Sequence, residues 1–191
     1  MSLKRIASAL ENTPDLTIRQ LILNKAQKEN QIIYGARATN RQLPDYLQKE
    51  TEDYDILTKK PKKSAQELAK DIKKFTNKEV EVTKASHKGT YKVKVDKRVV
   101  VDYTQLKRRY PTSQVLANKY RNLSSIKKSL QKAVKKKSNE FRREKDLDTL
   151  HRIKISEETF NFWKEESIWQ KRKEEDQKRK ERKDNNLLNK K

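Results

Sequence analysis

Between Glu79 and Thr104 the chain reads EVEVT, GTYKVKV and, after one turn, KRVVVDYT. Val80 and Val82 alternate with acids, and Tyr91, Val93 and Val95 alternate with lysines. Period two sends successive side chains to opposite faces of a strand. This block therefore predicts three strands, the last a β-branched run, with a hairpin turn in VDKRV. A chain built around it needs a sheet, and elements that cover that sheet.

The flanking segments supply those elements. Leu3, Ile6, Ala7 and Leu10 recur at helical spacing, as do Ile18, Leu21, Ile22 and Ala26 after Thr13-Pro14. Thr17 and Gln20 fit a capping box there. QIIY, ended by Gly35, predicts a short buried strand. ARATNRQLPDYLQKE, broken by Pro44, reads as a loop with at most one helical turn. DYDILT predicts a second strand, closed by Pro61. Ser64 and Glu67 form another capping-box pattern, followed by Ala65, Leu68, Ala69, Ile72 and Phe75 on one helical face. From Thr112 onward the pattern predicts helix throughout. Leu116, Tyr120, Leu123, Ile126, Leu130 and Ala133 form one stripe, and a second helix carries Phe141, Leu147 and Leu150. A third begins near Ser156, with Phe160 and Trp163 packing it onto the body. The expected class is α+β: a small mixed β-sheet core with flanking helices, then a basic helical C-terminal region. The expected boundaries are 1–112 for the core, 113–155 for basic helices packed on it, and 156–191 for a C-terminal helix and charged tail.

Composition limits how large that core can be. Of 191 residues, 32% are hydrophobic and 40% charged, which predicts one modest core plus a solvated segment. The net charge of +22 points to a polyanionic partner, with nucleic acid the usual one. The chain has no cysteine, so disulfides, thiolate metal sites and cysteine nucleophiles are excluded. His87 and His151 lie too far apart for histidine metal spacing. No apolar run approaches the length of a membrane span, so the expectation is a soluble, intracellular protein without a membrane partner.

Three carboxylates stand out. Asp53 and Asp55 flank Tyr54, and on a strand residues two apart share a face. Two neighbouring carboxylates repel unless a cation lies between them, and Mg²⁺ takes carboxylate oxygens together with substrate phosphates. The alternative is two solvated acids at a strand end. Gly35 directly follows a strand, where backbone can approach a ligand closely, or where the chain simply turns. Asp102 ends the apolar run RVVVDYT, where an unpaired carboxylate is costly to bury. It needs a partner, a metal or an exposed strand end.

In this order the residues resemble the polymerase-β type nucleotidyltransferases: a strand and glycine turn, a D-x-D strand, and a third carboxylate on a later strand. More narrowly, YGARATNRQLPDYLQKETEDYDIL resembles the catalytic-subunit poly(A) polymerases of large cytoplasmic DNA viruses, the asfarvirus and giant-virus branch. There a G-A-R-A-x-N turn, an L-P-x-x-L loop and T-x-D-[WY]-D-I follow one another. GTYKVKVDKRVVVDYT resembles their third-carboxylate region. FRREKDLDTLHRI is similar to an R-x-K-D-x-x-x-L helix of several nucleotidyltransferases, an ion-paired packing element. The likeness covers roughly Gln20 to Ile153. Two features depart from it: Ala36 stands where many such enzymes have Ser or Gly, and the viral polymerases are far longer.

The resemblance implies transfer of NMP, in the first instance AMP from ATP, to a nucleic-acid 3′-hydroxyl with Mg²⁺ or Mn²⁺. Asp53, Asp55 and Asp102 are then the catalytic and metal-holding residues, and Gly35, Ala36 and Arg37 the nucleotide-binding ones. It also implies host cytoplasm as the compartment if the source is viral, with packaging in a virion as a further option.

From Lys119 to Lys145 there are eleven Lys and Arg against two Glu. Lys127, Lys128, Lys132, Lys135, Lys136 and Lys137 form the expected nucleic-acid surface, RNA before DNA, tracking phosphates without reading bases. The same residues also suit a merely solvated helix face. Trp163 and Trp169 suit base stacking as well as packing. KRKEEDQKRKERKD predicts a solvated helix or a disordered tail, helical if a protein partner holds it. Two other functions stay open: a non-catalytic, basic nucleic-acid-binding or virion component on the same fold, and a small nucleotidyltransferase that modifies a protein.

Overall fold

The computed structural model describes residues 16–188. The expected first helix, on Leu3 to Leu10, lies outside the described residues. Helix α1 spans Leu16–Lys28 and buries Ile18, Ile22 and Ala26. Strand β1 (Ile32–Tyr34) runs straight into a short helix α2 (Gly35–Asn40). A 3₁₀ turn at Asp45–Leu47 follows, then β2 (Tyr54–Thr58) and α3 (Pro61–Phe75). Strands β3 (Val80–Lys84), β4 (Thr90–Val95) and β5 (Arg98–Gln105) come next, as the alternation predicts. The β4–β5 turn uses Asp96 and Lys97, both with positive φ (48° and 68°). Two such residues match the twist of a two-residue hairpin.

Residues 112–121 correct the expectation of helix from Thr112. They form β6 (Thr112–Val115) and β7 (Asn118–Arg121), joined by a turn with Leu116 at φ 53°. The spacing of Leu116, Tyr120 and Leu123 fits a helical stripe, yet Leu116 is largely exposed at the turn. Asn118 and Tyr120 are the buried pair, two apart as on a strand. The deciding partner is distant: β7 lies parallel to β1, pairing Ile32 with Lys119 and Ile33 with Tyr120. The basic segment read as helices over 113–155 thus begins with a hairpin. Helix α4 (Leu123–Ala133) follows, capped by the Asn122 side chain on the Ser125 amide.

Helix α5 runs unbroken from Arg143 to Leu188, about 70 Å at helical rise. No new helix starts at Ser156. The segment has neither Pro nor Gly to break it, and Lys154 pairs with Glu158 across that point. Phe160 and Trp163 do not pack on the body. Both are exposed, as are Phe162 and Trp169. Among the described residues, the last buried anchor is Ile153, with Thr159 still receiving the Tyr46 hydroxyl. Among the described residues, no helix is long and apolar enough to cross a membrane.

The seven strands form one mixed sheet in the order β3-β4-β5-β2-β1-β7-β6. Helices α1 and α3 pack against each other, with α3 on β2 to β5 and α1 on β7. The sheet face they cover carries Ile33, Tyr54, Ile56, Val93, Val101 and Tyr103, all buried. Two details of α3 differ from expectation. Helix α3 starts at Pro61, whose fixed φ suits a first turn, so Ser64 lies inside the helix. There it is buried and bonds Glu29, Gln31 and Thr58 rather than capping. Phe75, read as part of the apolar face, is exposed at its end.

Candidate active site

Strand register builds the site. Tyr34 pairs with Asp55 across β1 and β2, and Asp55 with Asp102 across the parallel β2 and β5. Asp102 pairs in turn with Lys92 on β4. Paired residues share a face, so Tyr34, Asp55, Asp102 and Lys92 form one row on the side opposite Ile56 and Tyr103. Asp53 lies just before β2, close enough that its charge acts on Asp55 and that of Asp102 acts on it. Thus the three carboxylates singled out in the sequence converge, although Asp102 is 47 residues beyond Asp55.

Gly35 completes the arrangement. Its φ is +66°, a left-handed conformation that strains any side chain. A Cβ built there would lie 1.9 Å from Asp55 Oδ2 and 2.8 Å from Asp55 Cγ. The Asp55 carboxylate therefore occupies the space that a side chain at position 35 would need. Ala36 follows in the first turn of α2, half-buried.

The electrostatics follow from crowding. Burial, then Asp53 and Asp102, push the Asp55 carboxyl up to about 7, with Lys145 and Lys92 opposing. Burial and Asp102 likewise raise Asp53. Burial, together with Asp55, lifts the Tyr34 phenol to about 12, so it remains protonated; its hydroxyl lies 3.0 Å from Thr104 Oγ1. Asp102 is held differently. Its Oδ2 accepts from Lys92 Nζ at 2.7 Å, and its Oδ1 is buried without a hydrogen-bond partner.

The donor set is all carboxylate oxygen, the ligand type hard cations take. Mutual repulsion among the three and the unpaired Oδ1 of Asp102 are both relieved by added positive charge. Side-chain positions are less complete: among the described residues, no group of three or more His, Cys, Asp or Glu is gathered as a metal cage. Asp102 turns one oxygen to Lys92 instead. The set fits Mg²⁺ or Mn²⁺ in chemistry and in strand register, with side-chain adjustment needed at Asp102.

Arg37 is not where the sequence expectation put it. Its Nε donates to the Asp53 carbonyl at 3.0 Å, and its Nη2 to the carbonyls of Thr51 (2.9 Å) and Glu52 (3.2 Å). The guanidinium also stacks 4.1 Å over the Tyr54 ring, which points into the core side of the sheet. Arg37 thus clamps the segment that delivers Asp53 instead of facing a triphosphate. Lys127 is also diverted: its ammonium pairs with Glu157 of α5. Lys128, Lys132, Lys135, Lys136 and Lys137 are exposed.

A cleft of about 450 Å³ opens beside Asp102, lined among others by Tyr34, Lys92, Tyr110, Arg121 and Arg142. Arg121 is held in place by Ser125 and Ser129 and stacks 4.5 Å over Tyr110. Arg142 is fixed by a bidentate pair with Asp146, itself buried at 2% exposure. Sequence reasoning missed Lys92, Lys145 and Arg121 as site residues. Lys92 was legible in principle: it alternates with Tyr91 and Val93, so it must face away from the core. Arg121 depended on a strand that the spacing hid.

Comparison with known proteins gives a consistent frame. The model of the poly(A) polymerase catalytic subunit family matches residues 20–134. Among solved structures, the Megavirus polyadenylate synthase superposes with a TM-score of 0.64 at 16% identity. The match covers 73% of this chain and 31% of that one, so the chain spans about a third of its length. No curated protein matches the chain.

Proposed function

The chain belongs to the poly(A) polymerase catalytic subunit family, and from that premise we propose that it is a compact nucleotidyltransferase. In this reading it moves AMP from ATP onto an RNA 3′-hydroxyl. The observation that carries the reading is the register pairing of Asp55 with Asp102, with the charge of Asp53 acting on Asp55 beside them.

Asp53 and Asp55 would hold the nucleotide-associated Mg²⁺ or Mn²⁺, and Asp102 would join them at a second. Bound there, such ions supply charge neutralisation and lower the pKa of the acceptor hydroxyl. The chain's own residues do the positioning. Gly35 leaves room for the Asp55 carboxylate, and Arg37 fixes the Asp53 backbone. Lys92, Lys145 and Arg121 bring positive charge to where a polyphosphate would lie. In the transfer, the acceptor oxygen bonds to the α-phosphorus while the bond to pyrophosphate breaks. Lys128, Lys132 and Lys135 to Lys137 would track the acceptor strand by its phosphates.

Incubation with labelled ATP, Mn²⁺ or Mg²⁺ and an RNA primer tests this. Primer extension is expected, with loss of at least about 10³-fold in Asp53→Ala and Asp55→Ala. Transfer that persists unchanged in Asp53→Ala would sink the assignment. A second reading, a basic nucleic-acid-binding component without activity, draws on one observation: Asp102 is already paired to Lys92. Salt-dependent RNA binding with no transfer and no metal binding would favour it.

A further inference from the structure

We propose that Lys92 is a resident cation at Asp102, displaced when a divalent ion arrives with its nucleotide. The inference rests on the nucleotidyltransferase reading above and concerns how its carboxylates are kept before substrate binds.

Geometry supports it at each step. The alternation of Tyr91, Val93 and Val95 toward the core leaves Lys92 no other face. A β-bulge between Val93 and Lys94 shifts the register set by the Asp96-Lys97 hairpin by one residue, which places Lys92 opposite Asp102 instead of Val101. The result is a 2.7 Å contact between Nζ and Oδ2, with the two side chains 32% and 16% exposed. Asp102 Oδ1 remains buried and unpaired, so the ammonium satisfies only half of the carboxylate.

A divalent ion on Asp102 would sit ~2 Å from its oxygens. Two cations that close repel strongly in a half-buried site, so ammonium and metal exclude each other there. Lysine suits exchange. Its charge is a point on a flexible stem, and its side chain is one-third exposed, so it can leave without backbone movement. The place it leaves for is the cleft it already lines with Tyr34 and Arg121. An entering polyphosphate gives it a new anion. Metal entry is thereby coupled to nucleotide entry, and the empty site keeps its third carboxylate neutralised.

Mn²⁺ titration of the full chain by electron paramagnetic resonance, without nucleotide, tests this directly. Lys92→Met is expected to tighten Mn²⁺ binding by about tenfold or more. Lys92→Gln gives an independent variant, and a thermal melt checks that each is folded. Lys145→Met removes a charge that also acts on Asp55, with no bond to a site carboxylate, and is expected to change affinity less. Equal affinities in wild type and both Lys92 variants, or equal effects of K92M and K145M, overturn the proposal. Loss of Mn²⁺ binding in Asp53→Asn with no effect of K92M would fail this inference alone. Mn²⁺ binding that ignores both Asp53→Asn and Asp55→Asn would fail the metal reading beneath it.

Discussion

The Asp55 carboxylate fills the space that a side chain at residue 35 would occupy: a Cβ on Gly35 would meet Asp55 Oδ2 at 1.9 Å. A glycine turn and a D-x-D strand are therefore one packed unit. Gly35→Ala must move the carboxylate and also hold alanine at φ +66°. The expected cost is roughly 2–4 kcal/mol of stability, since both strain and overpacking apply. Urea denaturation would measure it, and an unchanged midpoint would refute the contact.

The raised Asp55 pKa makes metal-free stability depend on pH. Its carboxyl moves from 3.8 to about 7 on folding. Between those values the folded chain binds a proton that the unfolded chain releases, so stability falls as pH rises. The stabilisation is complete below about pH 4 and lost through about pH 7. At ~1.4 kcal/mol per pH unit, the effect reaches a few kcal/mol. Melting curves from pH 4.5 to 7.5 should show this slope in wild type and a flatter one in Asp55→Asn.

Arg37 predicts a stability phenotype before a nucleotide phenotype. Its guanidinium holds three successive carbonyls and covers Tyr54. Arg37→Ala should cost about 2–4 kcal/mol, because hydrogen bonds from a charged donor are lost, those to Thr51 and Asp53 at half-buried sites. Arg37→Lys should recover less than half of this, since an ammonium lacks the planar fork. Chemical denaturation reads the loss. Nucleotide affinity falling with stability intact would return Arg37 to the phosphate site.

The Arg142–Asp146 pair anchors the start of α5. Asp146 is 2% exposed and depends on a partner that is half in solvent. Arg142→Ala leaves that carboxylate buried without its bidentate donor, and should destabilise by about 3 kcal/mol. The fall should be smaller in the double variant with Asp146→Leu, a cycle readable by the same denaturation curves.

For the exposed lysines the expected effect is on salt dependence. Changing Lys128, Lys132, Lys135, Lys136 and Lys137 to Gln should weaken single-stranded RNA binding and flatten its dependence on salt. Each phosphate contact removed takes about 0.7 from the slope of log K against log salt. Lys127→Gln should change the slope less, because its charge is spent on Glu157. Fluorescence anisotropy across salt concentrations would show both.

Local pattern was enough for much of this protein. Period-two alternation marks β3 to β5, and the β-branched QIIY and DYDILT mark β1 and β2. Those patterns follow from side-chain direction within a single strand, which needs no partner. They also placed Asp53 and Asp55 on one face and marked Asp102 as a carboxylate in the wrong company. Three features were decided elsewhere. Residues 112–121 became strands because β1 offered an edge for β7, a contact some 87 residues away that outweighed a plausible helical spacing. Arg37 turned to the Tyr54 side because the carbonyls of 51–53 come within its reach only after β2 is laid beside β1. Lys92 met Asp102 because a hairpin and the bulge at Val93 and Lys94, not either residue's own neighbourhood, set the two side by side. Sequence determines which face each residue can show, since that is fixed within one strand or turn. Which partner it finds there is decided by strand order and register, and those exist only once the sheet is assembled.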